Sequence, residues 1–337
     1  MKAVFIRQPG DAGIGQVPTP ENSGEHLMLQ VRMVGLCGSD LNSFRGKNPL
    51  VSFPRIPGHE VAATIVSGSQ TDSRLATGVN VTMSPYTSCG KCASCRRGRP
   101  NACQFNQTLG VQRDGALTEF ISMPAEKLYP ARLSLKELCL VEPLTVGFHA
   151  VARGCVTSTD TVAVFGCGGV GLGAIAGSHY AGARTIAVDL DDTKLEIARK
   201  AGASVLINST RENVREKLRD LTNGLGPDAV IEAVGNPQTF RMAVEEVAFT
   251  GRVVYIGYAK EPVSYETRLF VQKELDILGS RNALPEDFRK VIAMLEAGAF
   301  PVDAAVSAIV PLDQAPDALR EWSEHPTRFS KIIVNVS

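Results

Sequence analysis

The sequence predicts an α/β protein of two domains, one β-rich and irregular, the other a parallel sheet doubly wound by helices. Three observations predict it. A chain of 337 residues exceeds the roughly 250–300 residues at which a single hydrophobic core usually splits. Up to about residue 140, apolar stretches of strand length such as HLMLQVRMVG from His26 and HEVAATIVSG from His59 are separated by Gly, Pro, Asn and Ser, with no long helical period. From Thr161 onward strand and helix alternate, which is the pattern of repeated βαβ units and hence of a parallel sheet covered on both faces.

Each element of the second region has its own signal. TVAVF from Thr161 reads as a buried strand, a glycine turn follows, GLGAIAGSHYAGA reads as a helix and TIAVD, ending at Asp189, as the next strand. DDTKLEIARKAGA opens on an acidic cap and carries Leu195 and Ala198 on its apolar side. Between Arg211 and Thr222 an amphipathic helix presents Val214, Leu218 and Leu221, and strands are expected at DAVIEAV and RVVYIG. Over the last ~58 residues the helix PEDFRKVIAMLEAG aligns Phe288, Val291, Ile292 and Leu295 and stops at Gly298, before a final strand KIIVNV. No internal repeat or low-complexity segment is present.

Composition narrows the function. Apolar residues at 44% and charged residues at 21% describe an ordinary globular protein. Lys plus Arg (35) equals Asp plus Glu (35), so no net field draws nucleic acid or an anionic membrane, and neither is expected as a partner. The apolar run before Arg7 is four residues long, too short for a signal peptide, and no stretch reaches the ~18 apolar residues of a membrane span. The expectation is a cytoplasmic protein. In that reducing setting clustered cysteines are more often metal ligands or catalytic groups than disulfides.

The turn GCGGVG places Gly166, Gly168 and Gly171 in G-x-G-x-x-G spacing, with Gly169 and Val170 between. Alone the pattern is weak. Here it follows an apolar strand, opens a helix and sits in a unit from Thr161 to Asp189 close to the ~30 residues of a dinucleotide-binding βαβ. Gly166 allows the tight turn, Gly168 lets backbone approach a pyrophosphate, Gly171 lets helix and strand pack, and the helix N-terminus offers unpaired N–H groups. Asp189 at the end of the second strand would accept from ribose hydroxyls and repel a 2′-phosphate, favouring NAD over NADP. The competing readings are a glycine turn without cofactor, and an Asp189 that caps a helix, since Asp191 and Asp192 follow at once.

Cys89, Cys92, Cys95 and Cys103 have the spacing C-x2-C-x2-C-x7-C, with Lys91, Arg96, Arg97 and Arg99 beside them. Four thiolates can close a tetrahedron around zinc and leave no open position, so the site would be structural. An iron–sulfur cluster of the bacterial ferredoxin type needs its fourth cysteine after three residues and then proline; here seven residues intervene and Gln104 follows. A zinc ribbon that binds nucleic acid would use the same basic residues, against which stands the neutral chain. Cys139, Cys155 and Cys167 read as small apolar residues in packed or turn positions.

Cys37 in GLCGSD, His59 and Glu60 in PGHEVAATIV, and Glu142 in VEPLTVGFHA are all zinc-ligand types, but their separation in sequence shows no convergence, and singly each has a plain structural reading. Together with the cysteine lobe and the glycine turn, in this order along essentially the whole chain, these segments resemble the zinc-dependent medium-chain alcohol dehydrogenase family. The resemblance implies a GroES-like β-rich catalytic domain of residues 1–143 and 280–337, with a structural zinc lobe at about 85–105, and a Rossmann NAD-binding domain of residues 144–279. It implies a catalytic zinc held by Cys37, His59 and Glu142, with Glu60 as ligand or close neighbour and Glu142 acting directly or through water. Such an ion would acidify an alcohol and let hydride leave its carbinol carbon. Ser39 matches the hydroxyl that bonds the substrate oxygen, Asp40 the carboxylate that orients His59, and Lys194 a ribose-contacting lysine. Asn42 departs from the family: many members have histidine there, ending a proton relay, and an amide has no titratable proton to pass on.

Glutamate at 142 and GSRNALPEDF resemble the branch acting on polyols and sugar acids, where Glu142, Ser39 and Asn42 could bind neighbouring hydroxyls. Arg281, Arg113, Arg45 and Lys47 would then supply a cation for a carboxylate. The resemblance thus implies oxidation of a secondary alcohol of a sugar acid or polyol with NAD in a cleft between the domains, by a homo-oligomer, dimer or tetramer. An L-threonine or simple-alcohol dehydrogenase, or a nucleotide-binding protein that has lost its chemistry, are the alternatives.

Overall fold

The computed structural model describes residues 1–21, 26–67 and 72–336; Gly68, the last residue of the second stretch quoted above, lies outside them. The chain divides into two compact units, Met1–Glu142 with Phe288–Ala297 and Val302–Ser337, and Pro143–Asp287 with Gly298–Pro301.

The first unit opens on an antiparallel ribbon, β1 (Lys2–Gln8) with β2 (Asp11–Gln16). Its sheet is built on β3 (His26–Leu36), which runs into helix α1 (Gly38–Phe44). β4 (Glu60–Ile65), β5 (Asn80–Met83), the one-turn helix α2 (Ala93–Arg96), β6 (Phe120–Pro124) and β7 (Leu128–Pro130) follow. Side chains alternate across these strands, and Ile6, Leu29, Leu36, Ile65, Met83 and Leu117 pack at 1% exposure or less into one core.

Helix α3 (Leu135–Arg153) has residues in both units. The second unit alternates as expected: β8 (Thr161–Phe165), α4 (Gly169–Tyr180), β9 (Arg184–Asp189), α5 (Asp192–Lys200), β10 (Val205–Asn208), α6 (Val214–Leu221), β11 (Ala229–Glu232), α7 (Pro237–Glu246), β12 (Arg252–Tyr255), α8 (Arg268–Gln272) and β13 (Asp276–Gly279). All six strands are parallel, in the order β10-β9-β8-β11-β12-β13. That is the doubly wound order, and the direction of winding reverses between β8 and β11, where such sheets bind ligands beyond their strand ends. Helix α9 (Pro285–Glu296) and the short α10 (Val302–Ala305) lead to β14 (Ala308–Pro311), α11 (Ala315–Glu324) and β15 (Ile332–Asn335), and the last two strands close the first sheet in the order β14-β15-β3-β4-β5-β7, with β6 also on β3. Among the described residues no helix is long and apolar enough to cross a membrane.

The α/β class holds, and the corrections concern elements. The helix expected between Arg211 and Thr222 begins only at Val214, because Asn213 caps it by accepting from Glu216 N. The longest helix, α3 with 19 residues, has no counterpart in the sequence reading. Its apolar residues surround it instead of forming a stripe, and Pro143, which has no N–H to give to the helical ladder, lies inside it. β10, β13, α7 and α11 were also not anticipated.

Candidate active site and metal centres

Strand register explains why remote ligand types meet. Gly35 of β3 pairs with Glu60 at the start of β4, and Leu36 pairs with Ile332 at the start of β15. The residue after β3 is Cys37, the one before β4 is His59, and the one before β15 is Lys331. Antiparallel pairing therefore delivers a thiol, an imidazole, a carboxylate and an ammonium to one edge of the sheet.

One ligand atom from each of Cys37, His59 and Glu60 lies within 4.8 Å of the others. Glu60 is the carboxylate of this group, and Glu142 is not among its members. Glu142 is near enough to act electrostatically on His59. Glu60 is fully buried, and Lys331 Nζ donates to both its oxygens at 2.7 and 2.6 Å and to Leu36 O at 3.3 Å. β3 carries glycine opposite because a Cβ at Gly35 would stand 2.0 Å from Glu60 Oε2. Cys139 Sγ donates to Glu60 O at 3.2 Å, which makes Cys139 a packed thiol; burial pushes its pKa up.

Asp40 ties the two ligand-bearing segments together. Its Oδ2 accepts from Cys37 N at 2.9 Å and its Oδ1 from Gly58 N at 3.2 Å, and Oδ1 stands 3.9 Å from His59 Nδ1. Burial raises the pKa of Asp40 against the pull of His59 and the two amides. For His59, burial would lower basicity, but Asp40, Cys37 and Glu142 outweigh it and leave the imidazole well above its usual range. An imidazole so surrounded by anionic groups is a cation-collecting arrangement. Ser39 Oγ is buried without a hydrogen-bond partner and so has its donor and acceptor capacity to offer a ligand. Glu142, on α3 and buried, accepts on Oε1 from the buried hydroxyl of Tyr86, and burial raises the pKa of both groups.

The cysteine lobe is self-contained. The Sγ atoms of Cys92 and Cys95 are 3.5 Å apart and those of Cys92 and Cys103 are 3.8 Å apart. These separations are too long for disulfides, and they match the about 3.8 Å between sulfurs arranged tetrahedrally at about 2.3 Å from a shared zinc. Backbone amides of Cys92, Cys89 and Phe105 point at the sulfurs of Cys89, Cys103 and Cys103, each at 3.4 Å, as thiolates require. The Cys92 thiol is drawn down to about 5 by the Ser94 hydroxyl and nearby amides. The four-cysteine group fits a closed metal site and the Cys37–His59–Glu60 group an open one.

In the second unit the glycine turn leaves β8 at the switch point. Gly166 has φ +93°, and a Cβ on Gly171 would fall 1.8 Å from Gly166 O, whereas one on Gly168 would meet nothing within 4 Å. A ligand can therefore approach the backbone at Gly168, facing the first amides of α4 at Gly169 and Val170. Asp189 accepts from Cys167 N at 2.7 Å, Leu190 N at 2.8 Å and Asp191 N at 3.1 Å, which holds its carboxylate beside the turn. The N-cap of α5 is Asp191, not Asp189; Lys194, in its first turn, gives its N–H to Asp191.

The basic residues fare differently. Arg45 donates to the Oγ and O of Ser323 on α11 and is structural. Lys47 is exposed, and Arg281 belongs to the second unit. Arg113 gives Nη2 to Pro85 O at 3.4 Å, while its Nε is buried without a partner. Asn42 is half-buried on α1, three positions after Ser39. Sequence reasoning missed Lys331 and Tyr86; the only available signal for Lys331 was a lysine at the head of an apolar strand.

Two family models match: "Alcohol dehydrogenase GroES-like domain" over residues 23–133 and "Zinc-binding dehydrogenase" over residues 169–297. An uncharacterized zinc-type alcohol dehydrogenase-like protein of Haemophilus influenzae is 32% identical over 98% of both chains. L-galactonate-5-dehydrogenase of Escherichia coli K12 is 31% identical over 90% of this chain and 89% of its own. Among solved structures, the alcohol dehydrogenase rspB of Escherichia coli CFT073, complexed with NADH, superposes with a TM-score of 0.90 at 27% identity, covering 100% of this chain and 99% of that one. Full-length relatives, matched domains and a shared fold together carry the conclusion: this chain belongs to the zinc-type medium-chain alcohol dehydrogenase family.

Proposed function

We propose that the protein is a zinc-dependent dehydrogenase that takes a hydride from a secondary alcohol of a sugar acid or polyol and passes it to NAD. The observation that carries this reading is the meeting of Cys37, His59 and Glu60 donor atoms within 4.8 Å beside a buried, unpartnered Ser39 hydroxyl. Cys37, His59 and a carboxylate would hold the catalytic ion, and Cys89, Cys92, Cys95 and Cys103 a structural one. When bound, zinc supplies a Lewis acid that acidifies an alcohol, and the nicotinamide supplies the hydride acceptor.

The chain's own residues supply the rest. Ser39 receives the substrate hydroxyl in a hydrogen bond and orients its carbinol carbon. Asp40 fixes both ligand segments by their backbone, accepting from Gly58 N just before His59 and from Cys37 N. Glu142 is an acceptor for a neighbouring hydroxyl, a feature that favours polyols over simple alcohols. Asn42 cannot carry a proton onward, so the proton leaves by a path without a histidine at that position. Gly168 and the first turn of α4 would hold the pyrophosphate, and Asp189, fixed beside the turn by three amides, would accept from ribose hydroxyls and disfavour a 2′-phosphate. Arg113, with its unpartnered Nε, is the cation in the first unit for a substrate carboxylate.

L-threonine is the second substrate class to be tested, since it too presents a secondary alcohol beside a carboxylate. The test is a panel of aldonates, polyols, threonine and simple secondary alcohols with NAD and with NADP, run on protein of measured zinc content. Turnover of aldonates or polyols with NAD, lost on chelation, is the expected result. Full turnover by metal-free protein, or none of any alcohol by protein holding two zinc ions per chain, overturns the reading.

A further inference from the structure

Besides Asp40, two buried glutamates stand near the Cys37–His59 pair, and their partners differ in charge. Glu60 has both oxygens on the Lys331 ammonium, at 2.7 and 2.6 Å, so its charge is cancelled locally and its rotation is stopped. Glu142 has Oε1 on a neutral phenol, the hydroxyl of Tyr86. A hydroxyl donor fixes a buried oxygen in direction without adding a charge of its own, so the two glutamates are held by partners of different kind. Tyr86 and Glu142 are 6% and 3% exposed, and each belongs to a different part of the first unit. Tyr86 follows β5 by three residues and precedes Cys89 by three; Glu142 is on α3. The neighbouring backbone is anchored as well: Ser84 N donates to Lys127 O at 2.8 Å and Pro85 O accepts from Leu109 N at 3.1 Å and from Arg113 Nη2 at 3.4 Å. The two residues before Tyr86 are thus tied to neighbouring backbone, which limits where its ring can go.

We propose that Tyr86 is a positioning residue of the active site. Its buried hydroxyl holds Oε1 of Glu142, fixing the carboxylate plane so that Glu142, and not the ammonium-bound Glu60, meets a second hydroxyl of the substrate beside the Cys37–His59 pair. The inference rests on the zinc dehydrogenase reading above and deepens it, because it assigns the preference for substrates with neighbouring hydroxyls to a Tyr86–Glu142 pair. A simple secondary alcohol has no second hydroxyl for the pair to hold. It follows that loss of the phenol oxygen penalises polyols and aldonates selectively.

The experiment compares wild type, Tyr86→Phe, Glu142→Gln and the double variant, each with cobalt in place of the catalytic zinc. The readouts are the visible cobalt spectrum, metal content, thermal midpoint, and kcat and KM for an active polyol or aldonate and for 2-butanol. Tyr86→Phe is expected to lower kcat/KM for the polyhydroxy substrate by about 10- to 100-fold, the size of a lost hydrogen bond to a charged group, to affect 2-butanol several-fold less, and to shift the cobalt bands. In the Glu142→Gln background the same change is expected to add little, since the tyrosine acts through the glutamate. Equal losses on both substrates, additive losses in the double variant, or a cobalt spectrum unchanged by Tyr86→Phe overturn the proposal. Should Tyr86→Phe fail to fold, Glu142→Gln alone decides: no substrate bias and no spectral shift overturn it. A wild-type enzyme with no cobalt bands and no turnover instead overturns the zinc dehydrogenase reading itself.

Discussion

The cysteine lobe and the Cys37–His59–Glu60 group offer the same chemistry, donors gathered for a metal ion, but they are constructed in opposite ways. The lobe lies within fifteen consecutive residues, Cys89 to Cys103, and its backbone aims its own amides at its own sulfurs. The second group comes from the ends of three strands, and it includes an ammonium, Lys331, that no ligand pattern contains. A local site can be read from spacing because the short chain between donors limits where they go. An assembled site inherits its geometry from strand register, and register is a property of the whole sheet. The lobe offers sulfur alone and would close on its ion, while the assembled group sits beside an unpartnered hydroxyl at Ser39.

The largest test of this contrast is Cys37→Ser. We expect activity to fall by more than the roughly 10–100-fold that loss of an outer partner costs a metal site. Zinc content should drop from two per chain to one, and NAD binding, followed by nucleotide fluorescence, should persist. Loss of both ions would show that the sites are not independent. Cys103→Ser is expected to do the reverse: a closed site contributes folding energy outright, so thermal unfolding should move down by many degrees and protease should cut near the lobe. Retention of the wild-type midpoint would mean that the lobe folds without its metal.

Lys331→Met probes the part that spacing cannot show. Removing one member of a buried ion pair leaves Glu60 charged and alone, at a cost of about 3–5 kcal/mol, measured by denaturant unfolding; Lys331→Met with Glu60→Gln should recover much of it. If the single variant is as stable as wild type, Glu60 is not held by this pair. Dialysis against a chelator sharpens the comparison kinetically, the assembled site losing zinc and activity before the lobe loses its own. Asp189→Ser gives the smallest effect: a shift of the NAD-to-NADP preference by about tenfold, or ~1.4 kcal/mol, with turnover on NAD otherwise kept. An unchanged ratio would count against a ribose-binding Asp189.

Much of the second unit was legible because each of its elements carries a local signal: an apolar strand, a glycine turn whose Gly171 admits no Cβ, an Asp or Asn cap. Helix α3 was not legible, since it is apolar around its circumference and interrupted by Pro143, so no period marks it. β13 is exposed along most of its length and lacks the apolar run of a central strand. In the first unit the candidate ligands were identified through the family resemblance, and the separation of their roles was not. The resemblance implies Glu142 as the third ligand and Glu60 as ligand or close neighbour, and the partners that distinguish them, an ammonium for Glu60 and a phenol for Glu142, come only from folding.

By itself, then, the sequence determined the α/β class, the doubly wound order of strand and helix, the glycine turn and the closed sulfur site, each written in residues close enough along the chain to constrain one another. Tertiary structure alone decided which carboxylate joins Cys37 and His59, that Lys331 neutralises it, and that Tyr86 grips Glu142. Those outcomes depend on the pairing of β3 with β4 and β15 and on packing around α3. Long-range pairing is set by burial summed over the whole core, and no stretch of sequence contains that sum.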